Sequence, residues 1–550
     1  MKKLIYKLSF IACVLTLVSC DKDLEDINVN PNKPTEVRTT GIFNGANKAL
    51  MTNTRGGFPS ARMALPWVQY SAQRNYTAED RYQFRVGVNN SLYRDIFLAV
   101  KKYKTIIDIL EDPANEAKIA AYGDPKNQLA AARVMIAYAQ LQALEIYGDI
   151  PYYSYGSDDP DFEGMTIGTD NEKATPKFAP QEKIYKDLMK ELKEAAESVN
   201  LQANNVFSSG DNLFRRPIVL KRFANSLRLK IANRVKNVIP EAQVHINEAI
   251  ASGVMESNED NVIQVFQNDK INPAPFYTAA FIDNRNDFAP TNTFVELLKG
   301  ETNVFAGKVD PRLFRMVAPK TNLKKDDAGV ENEVRVLFYS DPEDTSAPSV
   351  EVGNYVDRDA SFYTGFPIGL QDNFTGSQRG AASQFGAAVY KADYGEVLME
   401  YAEVAFLVSE NKNWDDAEYR KGVAASMARW GVAQADIDTY VSSLPAASEE
   451  TVLTQKYIAL YLQPYEAWAE YRRTKYPKTL LLPGQTHDLI AKGPNGETSY
   501  TFVPLENLTD LPERITYPSD LDLVNKANKD AAAARMGGDK MNSKLIWAKK

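Results

Sequence analysis

Apolar residues recur at three- and four-residue spacing through several long stretches of this chain, the period of a helix with one buried face. Residues 128–147 place Ala130, Val134, Ala137, Leu141, Leu144 and Tyr147 on one stripe, and Gly148 stops it. Residues 181–199 repeat the pattern through Ile184, Leu188, Leu192 and Ala195, and residues 220–235 through Phe223, Leu227, Ile231 and Val235. Residues 394–409 carry Val397, Tyr401, Val404 and Val408. Asp415 and Asp416 then supply a cap for a helix that runs to Trp430 and halts at Gly431. In residues 454–474 a proline, Pro464, interrupts the stripe, so that helix is expected to kink or split there. The period fails between about 255 and 382, where Asn, Asp, Gly and Pro are frequent and the run 333–339 alternates as a strand does. A second irregular region, 487–518, holds a hairpin signal at Gly493-Pro494-Asn495-Gly496.

Small and large apolar residues alternate on these helices, and short turns join them in pairs. That is how tetratricopeptide-like helix pairs stack, although no constant repeat length is kept. The expected fold is mostly α: helix pairs form a scaffold over about 41–254 and 383–480. A loop-rich insertion with short strands covers about 255–382, and an irregular region covers about 481–550.

The first nineteen residues differ in kind. Lys2, Lys3 and Lys7 precede an apolar stretch from Leu8 to Val18, too short to span a bilayer and suited to a secretion signal. Leu17-Val18-Ser19-Cys20 has the pattern of a bacterial lipobox, so residues 1–19 are expected to be removed and Cys20 acylated. The protein would then be held to a membrane by lipid, with residues 20–40 as a charged, proline-broken tether.

Composition narrows the chemistry. Cys13 and Cys20 are the only cysteines and His245 and His487 the only histidines, so no disulfide, thiolate nucleophile or His-rich metal site is expected in the mature chain. The formal charge of −8 is a poor electrostatic match for nucleic acid, and it grows more negative once the three leader lysines leave. Catalytic signatures fail one by one. Val309 stands where a P-loop needs a hydroxyl, and Phe288 where the calcium-loop start at Asp283 needs glycine. No His-Glu-x-x-His or Gly-x-Ser-x-Gly occurs. Glu396, Glu400 and Glu403 share a helix face on this reading and suit ion pairs better than a glycosidase pair. No enzyme, metal or cofactor is implied.

Aromatic clusters carry the stronger signal. Flat rings beside planar polar side chains suit a sugar, whose ring has apolar faces and a hydroxyl rim, and a peptide groove could use the same chemistry. One such set is Tyr70, Arg74, Tyr76, Asp80 and Tyr82, with nearby Trp67 expected in the core. A second set lies in the insertion: Phe276, Tyr277, Arg285, Asp287 and Tyr363.

Several motifs, in order along the chain, resemble the SusD/RagB family of outer-membrane nutrient-binding lipoproteins, and its SusD-like branch in particular. They are Asn28-Val29-Asn30-Pro31-Asn32-Lys33-Pro34-Thr35, Tyr147-Gly148-Asp149-Ile150-Pro151-Tyr152, Asp310-Pro311-Arg312-Leu313 and Tyr401 to Leu407. The most specific is Glu466-Ala467-Trp468-Ala469-Glu470-Tyr471-Arg472-Arg473-Thr474, followed by Pro477. Leu511-Pro512-Glu513-Arg514-Ile515-Thr516-Tyr517-Pro518 closes the series. The resemblance implies a single tetratricopeptide-like body over 41–550 and a surface-facing outer-membrane location. It also implies a partner, a SusC-like TonB-dependent transporter, to which the lipoprotein would deliver an oligosaccharide or peptide. Two other readings stay open: a surface glycosidase with two buried acids, and a scaffold that binds only proteins.

Overall fold

The computed structural model describes residues 38–165, 174–283, 285, 287–325, 331–335 and 359–549. Cys20, the leader and most of the tether lie outside the described residues, as does the later part of the alternating run from Val336 onward.

Six helices of ten residues or more follow in order among the described residues: α1 (Thr39–Arg55), α2 (Val86–Glu111), α3 (Pro125–Tyr147), α4 (Gln181–Ser198), α5 (Pro217–Val235) and α6 (Ala242–Ala251). Each packs on the next, which is the expected tetratricopeptide-like scaffold of helix pairs. After the insertion with α7 (Asn292–Lys299), the chain returns as α8 (Tyr401–Asn411), α9 (Asp416–Arg429), α10 (Gln434–Ser443), α11 (Glu449–Ala459) and α12 (Pro464–Thr474). Helix α8 packs on α9, α11 and α5, and α12 on α3, so the two helical blocks share one core.

Helix α3 shows how local sequence sets an element. Asp124 caps it, its carboxylate accepting from the Asn127 amide at 3.1 Å, and Pro125 occupies the first turn, where no N–H is needed. From Ala130 to Tyr147 every side chain is buried. An alanine-rich helix of this kind can be enclosed all round by neighbours, so its single stripe understated its burial. Gly148 ends it at φ 90°, and a Cβ there would lie 2.2 Å from Met536 Sδ. Gly148→Ala is therefore expected to cost about 1–3 kcal/mol, from a strained backbone and an overfilled contact. A lower urea midpoint at unchanged m-value would register it.

Pro464 splits the last long helix as expected: α11 stops at Ala459 and α12 restarts with the proline at its first position. The stretch 394–409 departs from expectation. It is not one helix, because Glu396–Met399 is a strand and α8 begins only at Tyr401. A short run buried on both faces has no period that separates strand from helix. Gly395 allows the pairing, since a Cβ there would meet Ile263 Cγ2 at 2.4 Å.

The strands are β1 (Ser71–Gln73), β2 (Val262–Gln264), β3 (Phe288–Pro290), β4 (Thr321–Lys325), β5 (Glu331–Arg335), β6 (Glu396–Met399), β7 (Thr486–Asp488) and β8 (Ser499–Thr501). They pair two by two and antiparallel, β1 with β3, β2 with β6, β4 with β5 and β7 with β8. The last pair encloses the Gly493–Gly496 turn read from the sequence.

Charge is buried between the two helical blocks. Arg234 on α5 meets Glu145 on α3 at 2.9 Å and also pairs with Glu466 and Glu470 on α12. Lys230 pairs with Glu466 at 2.9 Å and Glu403 at 3.5 Å, Lys456 with Glu470 at 2.8 Å, and Arg473 with Glu410 at 2.8 Å and Glu470 at 2.9 Å. The expected sharing of one helix face by Glu396, Glu400 and Glu403 does not hold, since Glu396 lies in β6 and Glu400 precedes α8. Glu400 pairs with Arg429 at 3.1 Å.

Burial lifts the Glu396 carboxyl to about 7 against the pull of Arg55 and Arg429. Burial would also raise Glu466, but Lys230 and Arg234 overcome it and hold that group at about 2. Between the unfolded value of 4.5 and about 7, Glu396 binds more proton folded than unfolded, so its contribution to stability is lost as pH rises. Glu466 has the opposite sign: its contribution is lost as pH falls from 4.5 through 2. Glu396→Gln is expected to flatten the loss between pH 5 and 7 by roughly 1–3 kcal/mol in urea titrations. A limb unchanged by the substitution would contradict this.

Candidate functional site

Strand pairing brings two distant segments together. Strand β1 aligns with β3 in the register Ser71↔Pro290, Ala72↔Ala289 and Gln73↔Phe288. The chain just beyond β1 therefore lies beside the chain just before β3. The Arg74 amide donates to the Asp287 carbonyl, and Asn75 Nδ2 donates to Asp287 Oδ1 at 3.1 Å. Arg285 Nη1 stands 3.8 Å from Asp287 Oδ2. Arg74 is further fixed by the 359–383 segment: Arg379 Nε donates to its carbonyl at 2.9 Å and its own Nη2 donates to the Arg379 carbonyl at 3.2 Å. Of the residues read as candidates, Arg74, Tyr76, Arg285 and Asp287 thus share one neighbourhood.

Tyr76 is the most open of them, at 61% exposure, on a backbone held at φ 57°. A second ring stands near it. Phe58, 39% exposed, rises from the π-helical turn Gly57–Ala64 that leads out of α1. Both rings are tied to one guanidinium. Arg62 is only 2% exposed, and its Cζ lies 5.3 Å from the Phe58 ring centroid and 5.9 Å from that of Tyr76. Arg85 adds a second cation 5.3 Å from Phe58.

A polar frame beneath holds these cations. Arg62 Nε donates to Gln73 Oε1 at 2.8 Å, and Arg85 Nε to Glu79 Oε1 at 2.7 Å. Gln73 Nε2 donates to Glu79 Oε2 at 3.1 Å, and the Gln73 amide to Asp80 Oδ2 at 2.8 Å. Burial pulls the Arg62 pKa down. Its Nη2 is buried without a protein acceptor among the described residues. Cation–π attraction fixes each ring from the Arg side, which leaves exposed ring surface for a flat, weakly polar partner. Asn75, Arg285 and Asp287 supply donors and acceptors at the rim.

The other candidates are placed differently. Tyr70 stacks on Tyr457 at 4.6 Å and donates its hydroxyl to the Tyr457 carbonyl, while Tyr82 packs against Phe502 at 5.2 Å. Phe276 sits among Phe288, Phe385 and Tyr390, Tyr277 against Phe281, and Tyr363 against Phe314. All five rings are buried, so their place is in the core and not on an open platform. Asp80 is buried too, and burial drives its carboxyl well above the usual range despite the Gln73 bonds. Its part is to fix the end of β1. Trp67 is core as expected, with its indole N–H on the Glu79 carbonyl at 3.0 Å. Phe58, Arg62 and Arg85 were missed. Phe58 between Gly57 and Pro59 gave a weak turn signal, and nothing local marks Arg62 as the shared cation.

Among the described residues no group of three or more His, Cys, Asp or Glu is placed to hold a metal ion, and no helix is long and apolar enough to cross a membrane.

Residues 31–492 match the profile of a family described as starch-binding, associating with the outer membrane. Residues 446–548 match the SusD and RagB outer-membrane lipoprotein family. No curated protein matches the chain significantly. Solved structures do. A SusD homologue from Parabacteroides distasonis aligns with TM-score 0.69 and 20% identity, over 93% of this chain and 98% of that one. A chitin-binding protein aligns at 0.66 and 22%, over 92% and 100%. A chitin-binding SusD homologue from Flavobacterium johnsoniae aligns at 0.62 and 19%, over 92% and 98%. At such identities the likeness carries the fold, a helix-pair scaffold with irregular loops. The family assignment rests on the profile that spans most of the sequence: this chain belongs to the SusD-like family of outer-membrane lipoproteins.

Proposed function

We propose that this lipoprotein captures an oligosaccharide at the cell surface on the Phe58–Tyr76 platform and hands it, uncleaved, to a SusC-like TonB-dependent transporter. The observation that carries the reading is the pair of exposed rings braced by one buried guanidinium. A pyranose ring presents apolar C–H faces and a hydroxyl edge, and the platform offers ring surface with amide, guanidinium and carboxylate groups around it. Both rings are exposed, which suits capture and release. The family's starch-binding description and the two chitin-binding neighbours favour a glycan over a peptide.

In this reading Cys20 bears the lipid, and residues 20–40 tether a single body, 41–550, outside the outer membrane. The two carboxylates beneath the platform are engaged in its frame, Glu79 by Arg85 and Gln73, and Asp80 by Gln73.

The test is a binding screen of the lipid-free chain, Asp21 onward, against glycan and peptide pools, with product analysis on the same samples. Binding of a glycan recovered intact is the expected result. Cleaved products would overturn the non-catalytic reading, and binding confined to peptides would overturn the glycan assignment. Co-purification of the full-length lipoprotein with a large barrel protein from detergent-solubilised outer membrane tests the transporter partnership. Recovery of the lipoprotein alone under conditions that preserve other membrane complexes would count against it.

A further inference from the structure

Where α1, α3, α5, β6 and α12 meet, the core encloses a cavity of about 20 Å³ whose lining side chains are all buried. That is room for about one water-sized particle. Four lining residues carry side-chain N–H groups with no protein acceptor among the described residues. These are Arg55 (Nε and Nη1), Gln142 (Nε2), Gln463 (Nε2) and Arg472 (Nη2). A single acceptor on the same lining, Gln142 Oε1, also lacks a partner. Unsatisfied donors thus outnumber unsatisfied acceptors several-fold, in a core where leaving either unmet is costly.

The charges point the same way. Arg55 forms no ion pair among the described residues, and its guanidinium lies 5.7 Å from the Tyr465 ring centroid. Arg472 likewise has no carboxylate paired with it among the described residues. Its Nε and Nη1 donate to the carbonyls of Trp468, Glu145 and Glu513, and its guanidinium stacks 3.8 Å from the Trp468 ring. Burial, with Arg234 adding to it, pulls Arg472 down to about 10 in spite of Glu513 and Glu145. The carboxylates on the lining, Glu145 and Glu466, are already bound by Arg234 and Lys230. Glu396, whose carboxyl feels Arg55, is raised to about 7 by burial and is a weak counter-charge. Arg55, Lys230 and Arg472 against Glu145 and Glu466 leave the lining one positive charge in excess.

We propose that this cavity binds one small monovalent anion of halide size, chloride in ordinary buffers. Water offers two lone pairs and brings two protons that would need acceptors of their own. An anion accepts from every side and cancels the excess charge. The site would join the end of α1 to α12 across α3, so its occupant clamps the N-terminal helix to the returning block.

Bromide is the probe. Crystals of the lipid-free chain grown without halide and soaked in sodium bromide should show an anomalous peak between Arg55, Gln142, Gln463 and Arg472. Thermal unfolding in sodium gluconate, with bromide substituted at constant ionic strength, should rise saturably by about 2 °C at bromide well above its Kd. Gln142→Leu and Gln463→Leu remove donors without changing charge, and each should abolish the rise while circular dichroism stays unchanged. A cavity that keeps a water in bromide-soaked crystals would overturn the proposal. So would a bromide peak with no halide dependence of unfolding, which would mean an adventitious ion only.

Discussion

Replacing Arg234 with methionine is expected to destabilise the protein by about 3–5 kcal/mol, among the largest losses any single substitution here should cause. The side chain is fully buried and serves three carboxylates on two helices, Glu145, Glu466 and Glu470. Without it, those acids share only Lys230, Lys456 and Arg473, in a core too dry to solvate the excess negative charge. Methionine fills much of the volume, so the loss reports charge more than cavity. Two comparisons sharpen the result. Adding Glu145→Gln to the Arg234→Met background should recover part of the stability, since one orphaned charge is gone. Lys183, at the surface, pairs with two carboxylates, Asp159 and Asp161, yet Lys183→Ala should cost under about 1 kcal/mol. Urea unfolding of the four proteins measures this. An Arg234→Met loss below about 1 kcal/mol would show that the network is not a stabilising tie between the helical blocks.

The second large effect concerns binding. Phe58→Ala and Tyr76→Ala should each weaken glycan affinity by about 30-fold, from about 2 kcal/mol of lost ring contact. Together they should bring binding close to background. Both rings are exposed, so the unfolding midpoint should hardly move. Tyr70→Ala and Tyr82→Ala separate the two roles. Those rings are buried, and their removal should cost about 3–5 kcal/mol of stability, with affinity preserved in whatever fraction stays folded. Titration calorimetry on folded samples of all four variants distinguishes platform from core. Unchanged affinity in the Phe58 and Tyr76 variants would remove the platform from the account.

Much of the scaffold could be read from periodicity, because α3, α4, α5, α9 and α12 each keep an apolar stripe, a capping residue or a breaker in place. The stretch 394–409 resisted that reading, since a strand buried on both faces mimics a helix segment until its partner is known. The site was half legible. Residue type drew attention to the neighbourhood of Tyr76 and Asp287, but burial divides one tyrosine from another, and no local signal separates Tyr70 from Tyr76. What joins the two segments is the β1–β3 register across more than two hundred residues. Phe58 and Arg62 became visible only when that pairing and the π-helical turn set them side by side.

The most direct test of the central claim is a crystal structure of the lipid-free chain with the best glycan from the screen. A sugar ring seated within about 4 Å of Phe58 and Tyr76, with its hydroxyls on Asn75, Arg285 or Asp287, is the predicted result. A glycan bound at another face, with the platform rings open to solvent, would contradict it.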